Sequence, residues 1–182
     1  MKFEDLRLLE QESMARGIPI VGNKKGKWLY DKIQELQPRK VLELGTANGY
    51  SGCILGSTGA TLLTIELDPL IAQEAKKNLS FFEVKAKVLI GDGVTEIEKL
   101  VKDVSFHNSF DVIFIDFAKK KYFLVLEHCI TLLKVGGYIV ADNITFVGCQ
   151  DYRKRIQNHP GLHTELIMIQ DGLACSQKTG SH

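Results

Sequence analysis

Residues 41–52 read VLELGTANGYSG, an apolar strand that runs directly into a glycine-rich loop. Glycines let the backbone turn tightly and approach a ligand, and the helix predicted to follow offers free N–H groups. The spacing of Gly45, Gly49 and Gly52 differs from the G-x-G-x-x-G of dinucleotide sites and from the phosphate loop that ends in Gly-Lys-Ser/Thr. The loop therefore predicts a ligand site that is not built around a pyrophosphate.

Apolar runs bounded by turn signals alternate with helical patterns along the chain. The predicted strands cover 40–45, 61–67, 86–91, 110–116 and 136–142. The predicted helices cover 3–16, 25–37, 50–57, 69–80, 94–103, 119–134 and 149–158. Residues 112–115 are all apolar, as expected for a strand that is covered on both faces. The alternation predicts an α/β fold with a Rossmann-like, doubly wound, mostly parallel sheet.

Two segments depart from this alternation. The stretch TELIMIQDGLACSQK (164–178) has two strand-like halves around Asp171-Gly172, a strong hairpin signal, and predicts an antiparallel hairpin that completes a seven-stranded sheet. The stretch GIPIVGNKKG (17–26), rich in glycine, predicts a loop ahead of the first strand. Its position makes this loop a candidate lid.

Composition indicates an ordinary globular domain, with 45% hydrophobic residues, 25% charged residues and a net charge of +1. We expect one domain over 1–179, with the N-terminal helices and the lid in 1–38, and we interpret 180–182 as the remnant of an expression tag. Four scattered cysteines predict reduced thiols and a cytoplasmic protein. No segment resembles a signal peptide or a membrane span, so no membrane partner is expected.

Acidic residues follow the second and third predicted strands. Glu66 ends the second strand, where a carboxylate can accept hydrogen bonds from both ribose hydroxyls of a nucleoside. Asp92, in the GDG of 91–93, can accept from an adenine amino group. The alternatives are a solvated strand end for Glu66 and a turn former for Asp92. Together with the glycine loop, the two positions favour a nucleoside cofactor, and S-adenosylmethionine fits a loop that need not hold phosphates.

The sequence resembles the metal-dependent class I O-methyltransferases, the family of catechol O-methyltransferase, caffeoyl-CoA O-methyltransferase and small prokaryotic relatives. The resemblance extends over roughly residues 17–178. Its most specific motifs are VLELGTANGYS (41–51), TIELDP (64–69), FDVIFIDFAKKKY (110–122) and LLKVGGYIVADN (132–143). It implies the class I methyltransferase fold and the transfer of a methyl group from S-adenosylmethionine to a hydroxyl.

The resemblance also implies positions for the cofactor. The implied cofactor-binding residues are Val21, Glu43, Gly45, Ser51, Glu66, Asp92, Gly93 and Asp116. Among them, Glu43, Gly45 and Ser51 surround the methionine part. Glu66 binds the ribose, the GDG segment lies beside the adenine, and the backbone of Val21 contacts the cofactor from the lid.

The resemblance also implies a metal site and a catalytic base at the ends of the fourth and fifth predicted strands. Asp116, Asp142 and Asn143 supply two carboxylates and an amide oxygen, a hard ligand set suited to Mg²⁺ or another divalent cation. Lys119 matches the family's catalytic base, with Asp116 beside it, and a metal would acidify the acceptor hydroxyl. The alternatives are a helix cap for Asp116, turn residues at Asp142-Asn143, and a solvated lysine run at 119–121.

The acceptor is the least determined part of the prediction. Phe117 and Ala118 replace the more usual residues between the aspartate and the lysine, and we expect them to alter the wall of the acceptor site. A small catechol-like hydroxyl acceptor is favoured. The alternatives are a tRNA hydroxyuridine O-methyltransferase, which would use the basic clusters, and a non-catalytic S-adenosylmethionine-binding protein. The sequence leaves the oligomeric state, including a homodimer, open.

Overall fold

The computed structural model describes residues 1–180, and within this range a single sheet of seven strands is flanked by helices. The strands are β1 (Lys40–Leu44), β2 (Thr61–Glu66), β3 (Ala86–Ile90), β4 (Phe110–Ile115), β5 (Leu133–Asp142), β6 (Leu162–Ile167) and β7 (Leu173–Lys178). The helices are α1 (Arg7–Ala15), α2 (Gly22–Leu36), α3 (Tyr50–Leu55), α4 (Pro69–Phe81), α5 (Gly93–Lys102), α6 (Tyr122–Leu132) and α7 (Gln150–Gln157). Short 3-10 turns cover Phe3–Leu6, Val104–Phe106, Lys119–Lys121 and Val147–Cys149.

The strands lie in the order β3-β2-β1-β4-β5-β7-β6. Strands β1 to β5 pair in parallel, whereas β7 runs antiparallel to both of its neighbours. The predicted α/β fold and the C-terminal hairpin are therefore confirmed. Asp171 and Gly172 do lie in the connection, which is a five-residue loop over 168–172 and not a two-residue turn.

Two apolar layers explain why the central strands read as continuous hydrophobic runs. Ile113 and Ile115 of β4 pack into the cluster on one face of the sheet, while Val112 and Phe114 pack into the cluster on the other. All four side chains are buried, because successive side chains of a strand point to opposite faces and helices cover both. None of the helices within residues 1–180 combines the length and the apolar character that crossing a bilayer requires.

Several boundaries differ from the predictions, and two of these differences concern the sheet and the lid. Strand β5 begins at Leu133, not 136, because Leu133 already pairs with Phe110 ahead of an irregularity in the β4–β5 register. The predicted loop at 17–26 is irregular only over 17–21, since α2 begins at Gly22. Glycine suits position 26 inside this helix because α2 packs closely against α3 there. A Cβ on Gly26 would lie 3.3 Å from the Ile54 side chain, closer than an ordinary contact.

Candidate active site

A pocket of about 670 Å³ opens beside the carboxyl ends of β1, β2 and β4. This is where the strand order reverses, the usual place for a ligand in an open α/β sheet. Six of the predicted site residues line the pocket, namely Gly45, Glu66, Asp92, Gly93, Asp116 and Lys119. Gly17, Ile18 and Pro19 of the 17–21 loop close one side, so part of the segment predicted as a lid does reach the pocket.

Glu66 is held in place by the loops on either side of it. Its carboxylate accepts hydrogen bonds from the backbone N–H groups of Ala47, at 2.8 Å, and Asp68, at 3.0 Å. The Ala47 bond ties the end of β2 to the glycine-rich loop after β1. A carboxylate has about four acceptor positions, so two remain for ligand hydroxyls.

Asp92 lies at the start of a helix and at the edge of the pocket. It caps the N-terminus of α5 by accepting from the N–H groups of Val94 and Thr95, and it forms an ion pair with Lys121. The hydrogen bond from Lys121, together with those from the backbone, holds the pKa of Asp92 below its usual range. Asp92 is therefore a helix cap that also lines the pocket.

Glu43 lies in the interior of the sheet and not in the pocket wall. Its carboxyl group is fully buried and accepts hydrogen bonds from Ser51, at 2.6 Å, and from Thr64 on the neighbouring strand, at 2.5 Å. Burial raises the pKa of Glu43 to about 8, so the group is mostly protonated at neutral pH. The side chains of Glu43 and Ser51 thus support the glycine loop from the interior of the protein. Val21 is also buried and does not line the pocket.

The three predicted metal ligands meet at the ends of β4 and β5. Asp116 accepts a hydrogen bond from Lys119 at 2.6 Å. Asp142, whose side chain is only 2% exposed, accepts from Lys25 of α2 at 2.5 Å. Burial, with a further contribution from the charge of Asp116, raises the pKa of Asp142 to about 6. The site therefore brings together two carboxylates, each paired with a lysine, in a place that water reaches poorly.

The donor set fits a hard cation. Within residues 1–180, the hydrogen bonds to Asp116 and to Asp142 all use Oδ1, which leaves Oδ2 of each carboxylate without a partner. Asn143 donates through Nδ2 to Asp171 at 2.5 Å, which leaves its Oδ1 available. No group of three or more His, Cys, Asp or Glu side chains in the described range is arranged for a metal. Two acids and one amide would instead need water or substrate oxygens to complete a shell, as Mg²⁺ usually has.

A second depression, which we call the Lys120 groove, adjoins the pocket. It is lined by Ala118, Lys119, Lys120, Lys121, Thr145, Phe146, Val147 and Gly148. Lys119 lines both the groove and the pocket. Phe117, which we expected in the acceptor wall, lines the pocket. Its ring packs against Gly93, where an added Cβ would lie 3.1 Å from the ring.

Two residues of this region carry no signal in the sequence that assigns them to it. Lys25 lies in the run NKKGK (23–27), where nothing distinguishes it from its exposed neighbour Lys24. Asp171 reads as half of an Asp-Gly turn, yet its carboxylate accepts hydrogen bonds from Lys25 and Asn143. Only the folding of the hairpin against the end of β5 brings Asp171 to the site.

A parallel Rossmann-like sheet with the antiparallel strand β7 inserted beside β5, and a pocket at the switch point, defines a class I methyltransferase fold. The sequence model of the O-methyltransferase family matches residues 3–179, and the chain belongs to this family, that of catechol O-methyltransferase and its relatives.

Several relatives are named catechol O-methyltransferase. The chain is 32% identical to catechol O-methyltransferase B of Danio rerio over 168 residues, which are 84% of the chain and 63% of the relative. It is 32% identical to catechol O-methyltransferase of Sus scrofa, with 84% of the chain and 89% of the relative covered. The chain spans less than two thirds of the length of the Danio rerio, Bos taurus and Mus musculus enzymes.

Solved structures share the fold. The O-methyltransferase TomG of Streptomyces achromogenes, solved in complex with SAM, superposes with a TM-score of 0.86 at 21% identity, covering 99% of this chain and 92% of that one. The O-methyltransferase of Bacillus cereus, solved with SAH, gives a TM-score of 0.82 at 21% identity, with 97% and 90% covered.

Proposed function

We propose that the protein is an S-adenosylmethionine-dependent, Mg²⁺-dependent O-methyltransferase that methylates a hydroxyl of a small catechol-like acceptor. One observation carries the proposal: Lys119 lines both the pocket at the switch point and the Lys120 groove. A methyl donor in the pocket and a hydroxyl in the groove would therefore meet beside the same amino group. Family membership supports the same reaction.

Each side of this junction has a distinct task. Glu66 would bind the ribose and the GDG segment would lie beside the adenine, so that the sulfonium end points toward Asp116. Phe146 and Val147, both exposed in the groove, offer an apolar wall for an aromatic ring. Lys119 would take the proton from the acceptor hydroxyl, and Asp116 holds its amino group at the junction. Holding the two reactants in line is the main contribution of the protein.

The proposed metal site consists of Asp116, Asp142 and Asn143. When bound there, Mg²⁺ would acidify the acceptor hydroxyl and favour its oxyanion. The chain's own part is to present three oxygens at the ends of two neighbouring strands, and Asp171 assists by fixing the Asn143 amide. Vicinal acceptor oxygens would complete the ligand shell, which is why a catechol is the favoured acceptor.

A cytoplasmic location is part of the proposal. All four cysteines, Cys53, Cys129, Cys149 and Cys175, are buried free thiols. This arrangement suits a reducing compartment, where thiols persist unpaired.

The deciding experiment is a methyl-transfer screen with S-adenosylmethionine against catechols such as dihydroxybenzoate and against total tRNA, with Mg²⁺ or a chelator. We expect transfer to a catechol that stops in the chelator. Asp142→Asn should abolish transfer and leave binding of S-adenosylhomocysteine unchanged in calorimetry, whereas Asp151→Asn, on the exposed face of α7, should behave as wild type. Catechol methylation that persists in the chelator would refute the metal dependence.

The other outcomes of this screen separate the alternatives. Methylation of tRNA but of no catechol would make the protein an RNA modifier. Three basic clusters lie at 24–27, 119–121 and 153–155. Ion pairs already engage one residue of each, namely Lys27, Lys121 and Arg155, which weakens the electrostatic case for RNA. Cofactor binding without transfer to any acceptor would leave a non-catalytic binding protein.

A further inference from the structure

Lys25 joins two acidic residues that come from different parts of the chain. Its ammonium group lies 2.5 Å from Oδ1 of Asp142, at the end of β5, and 2.5 Å from Oδ1 of Asp171, in the loop before β7. The Lys25 side chain is only 5% exposed. Within residues 1–180, no other lysine or arginine forms an ion pair with either carboxylate.

The packing of α2 explains why a lysine can be buried here. Gly26 follows Lys25, and its lack of a side chain lets this turn of the helix lie against Tyr50 and Ile54 of α3. The helix start therefore approaches the carboxyl ends of the strands. Lys24 points to solvent, so the burial belongs to one helical position and not to the basic run as a whole.

The ammonium group organises two of the three proposed metal ligands. It contacts Asp142 directly, and it reaches Asn143 through Asp171, whose Oδ2 accepts the Asn143 amide at 2.5 Å. Asn143 has a left-handed backbone, with φ of 56°, a conformation that needs support from its surroundings. Lys25 thus lies at the centre of the contacts that set where these ligand oxygens point.

We propose that Lys25 serves as the internal cation of the site and neutralises Asp142 and Asp171 before any metal binds. This inference rests on the proposed metal site. An ion pair buried this deeply is costly to break, because removal of one partner leaves the other charge buried and uncompensated. A divalent cation could then take over part of the neutralisation, and its affinity would rise as the competing positive charge is lost.

The test compares Lys25→Met with the matched control Lys24→Met by thermal unfolding, first in a chelator and then in millimolar Mg²⁺. In the chelator, Lys25→Met should unfold roughly 6–20 °C below the control. Mg²⁺ should raise the unfolding temperature of Lys25→Met by more than it raises that of wild type, because a ligand that binds the folded state more tightly stabilises it more. Equal unfolding temperatures of the two variants, or equal responses to Mg²⁺, would overturn the inference.

A second variant covers the case in which Lys25→Met does not fold. Lys25→Met/Asp142→Asn removes the buried ammonium together with its buried partner and leaves only Asp171, which is partly exposed. It should therefore be more stable than Lys25→Met and should lose the extra response to Mg²⁺. A double variant no more stable than the single one would also overturn the inference. Stability effects as expected in a protein that methylates nothing would refute only the proposed function, whereas methyl transfer without those effects would refute only the role of Lys25.

Discussion

Gly45 and Asp116 touch through their backbones at the ends of two neighbouring strands. A Cβ on Gly45 would lie 2.0 Å from the carbonyl oxygen of Asp116, and Gly45 has a positive φ of 99°. The Asp116 N–H donates to the carbonyl of Leu44 at 2.8 Å. The glycine loop is therefore shaped by contact with β4 as well as by any ligand, and the position of Asp116 depends on the missing side chain.

Gly45→Ala should disturb Asp116 and weaken cofactor binding. Backbone strain and the overlap together should destabilise the fold by roughly 1–3 kcal/mol or more. Gly59→Ala is the matched control, since Gly59 also has a positive φ, of 86°, but has nothing within 4 Å of the added Cβ. Urea unfolding and calorimetry with S-adenosylhomocysteine would measure both effects. If Gly45→Ala loses no more stability than Gly59→Ala, the close approach is unimportant.

Glu66→Ala should reduce affinity for the cofactor by roughly 1.5–3 kcal/mol, because the lost acceptor is charged and the ribose hydroxyls are left unpaired. The variant also loses the bond that holds the Ala47 N–H. Calorimetry with S-adenosylhomocysteine would measure the loss, with Glu98→Ala on the exposed face of α5 as the control. Unchanged affinity in Glu66→Ala would mean that the ribose is bound elsewhere.

Lys119→Ala should reduce the rate of methyl transfer by about 10²–10⁴-fold while the protein still binds the cofactor and Mg²⁺, as expected when a general base is removed. The loss should shrink at high pH, where the acceptor hydroxyl ionises without help. Steady-state rates across pH would test this, with Lys102→Ala at the exposed end of α5 as the control. A small loss at neutral pH would assign the lysine run of 119–121 to a solvated surface.

Lys120→Met should impair anionic acceptors more than neutral ones. Lys119 and Lys121 pair with Asp116 and Asp92, whereas Lys120 forms no ion pair within residues 1–180 and lines the groove. We expect KM for dihydroxybenzoate to rise by about 2–5-fold, and KM for a neutral catechol to stay constant. The difference should fade at high salt. Equal changes for both acceptors would show that Lys120 does not select by charge.

Glu43 should make the protein less stable as the pH rises. Its pKa in the folded protein is about 8, against 4.5 for an ordinary glutamate, so the folded state binds more protons than the unfolded state between these values. Stability should then fall by up to about 1.4 kcal/mol per pH unit across this window. Glu43→Gln should remove that dependence, and the two proteins should differ most near pH 8. If the urea midpoints of the two proteins differed by the same amount at pH 5 and at pH 8, the assignment would be wrong.

Local patterns sufficed for much of the fold and for part of the site. The apolar run of 112–115 and the Asp171-Gly172 signal each reflect local physics, and so each could be located in the sequence. The protonation state of Glu43 could not be located in this way, because the sequence does not distinguish a glutamate buried between Ser51 and Thr64 from one that binds a ligand. The role of Lys25 depends on two partners more than 100 positions away in the sequence, which no local pattern encodes.

The insertion of β7 between β5 and β6 has a consequence for folding. Until the C-terminal hairpin folds onto the sheet, β5 is an edge strand whose free backbone groups can pair with another chain. During the same interval, Lys25 lacks its ion pair with Asp171. Chains truncated shortly after Asp142 should therefore aggregate more readily than the full chain.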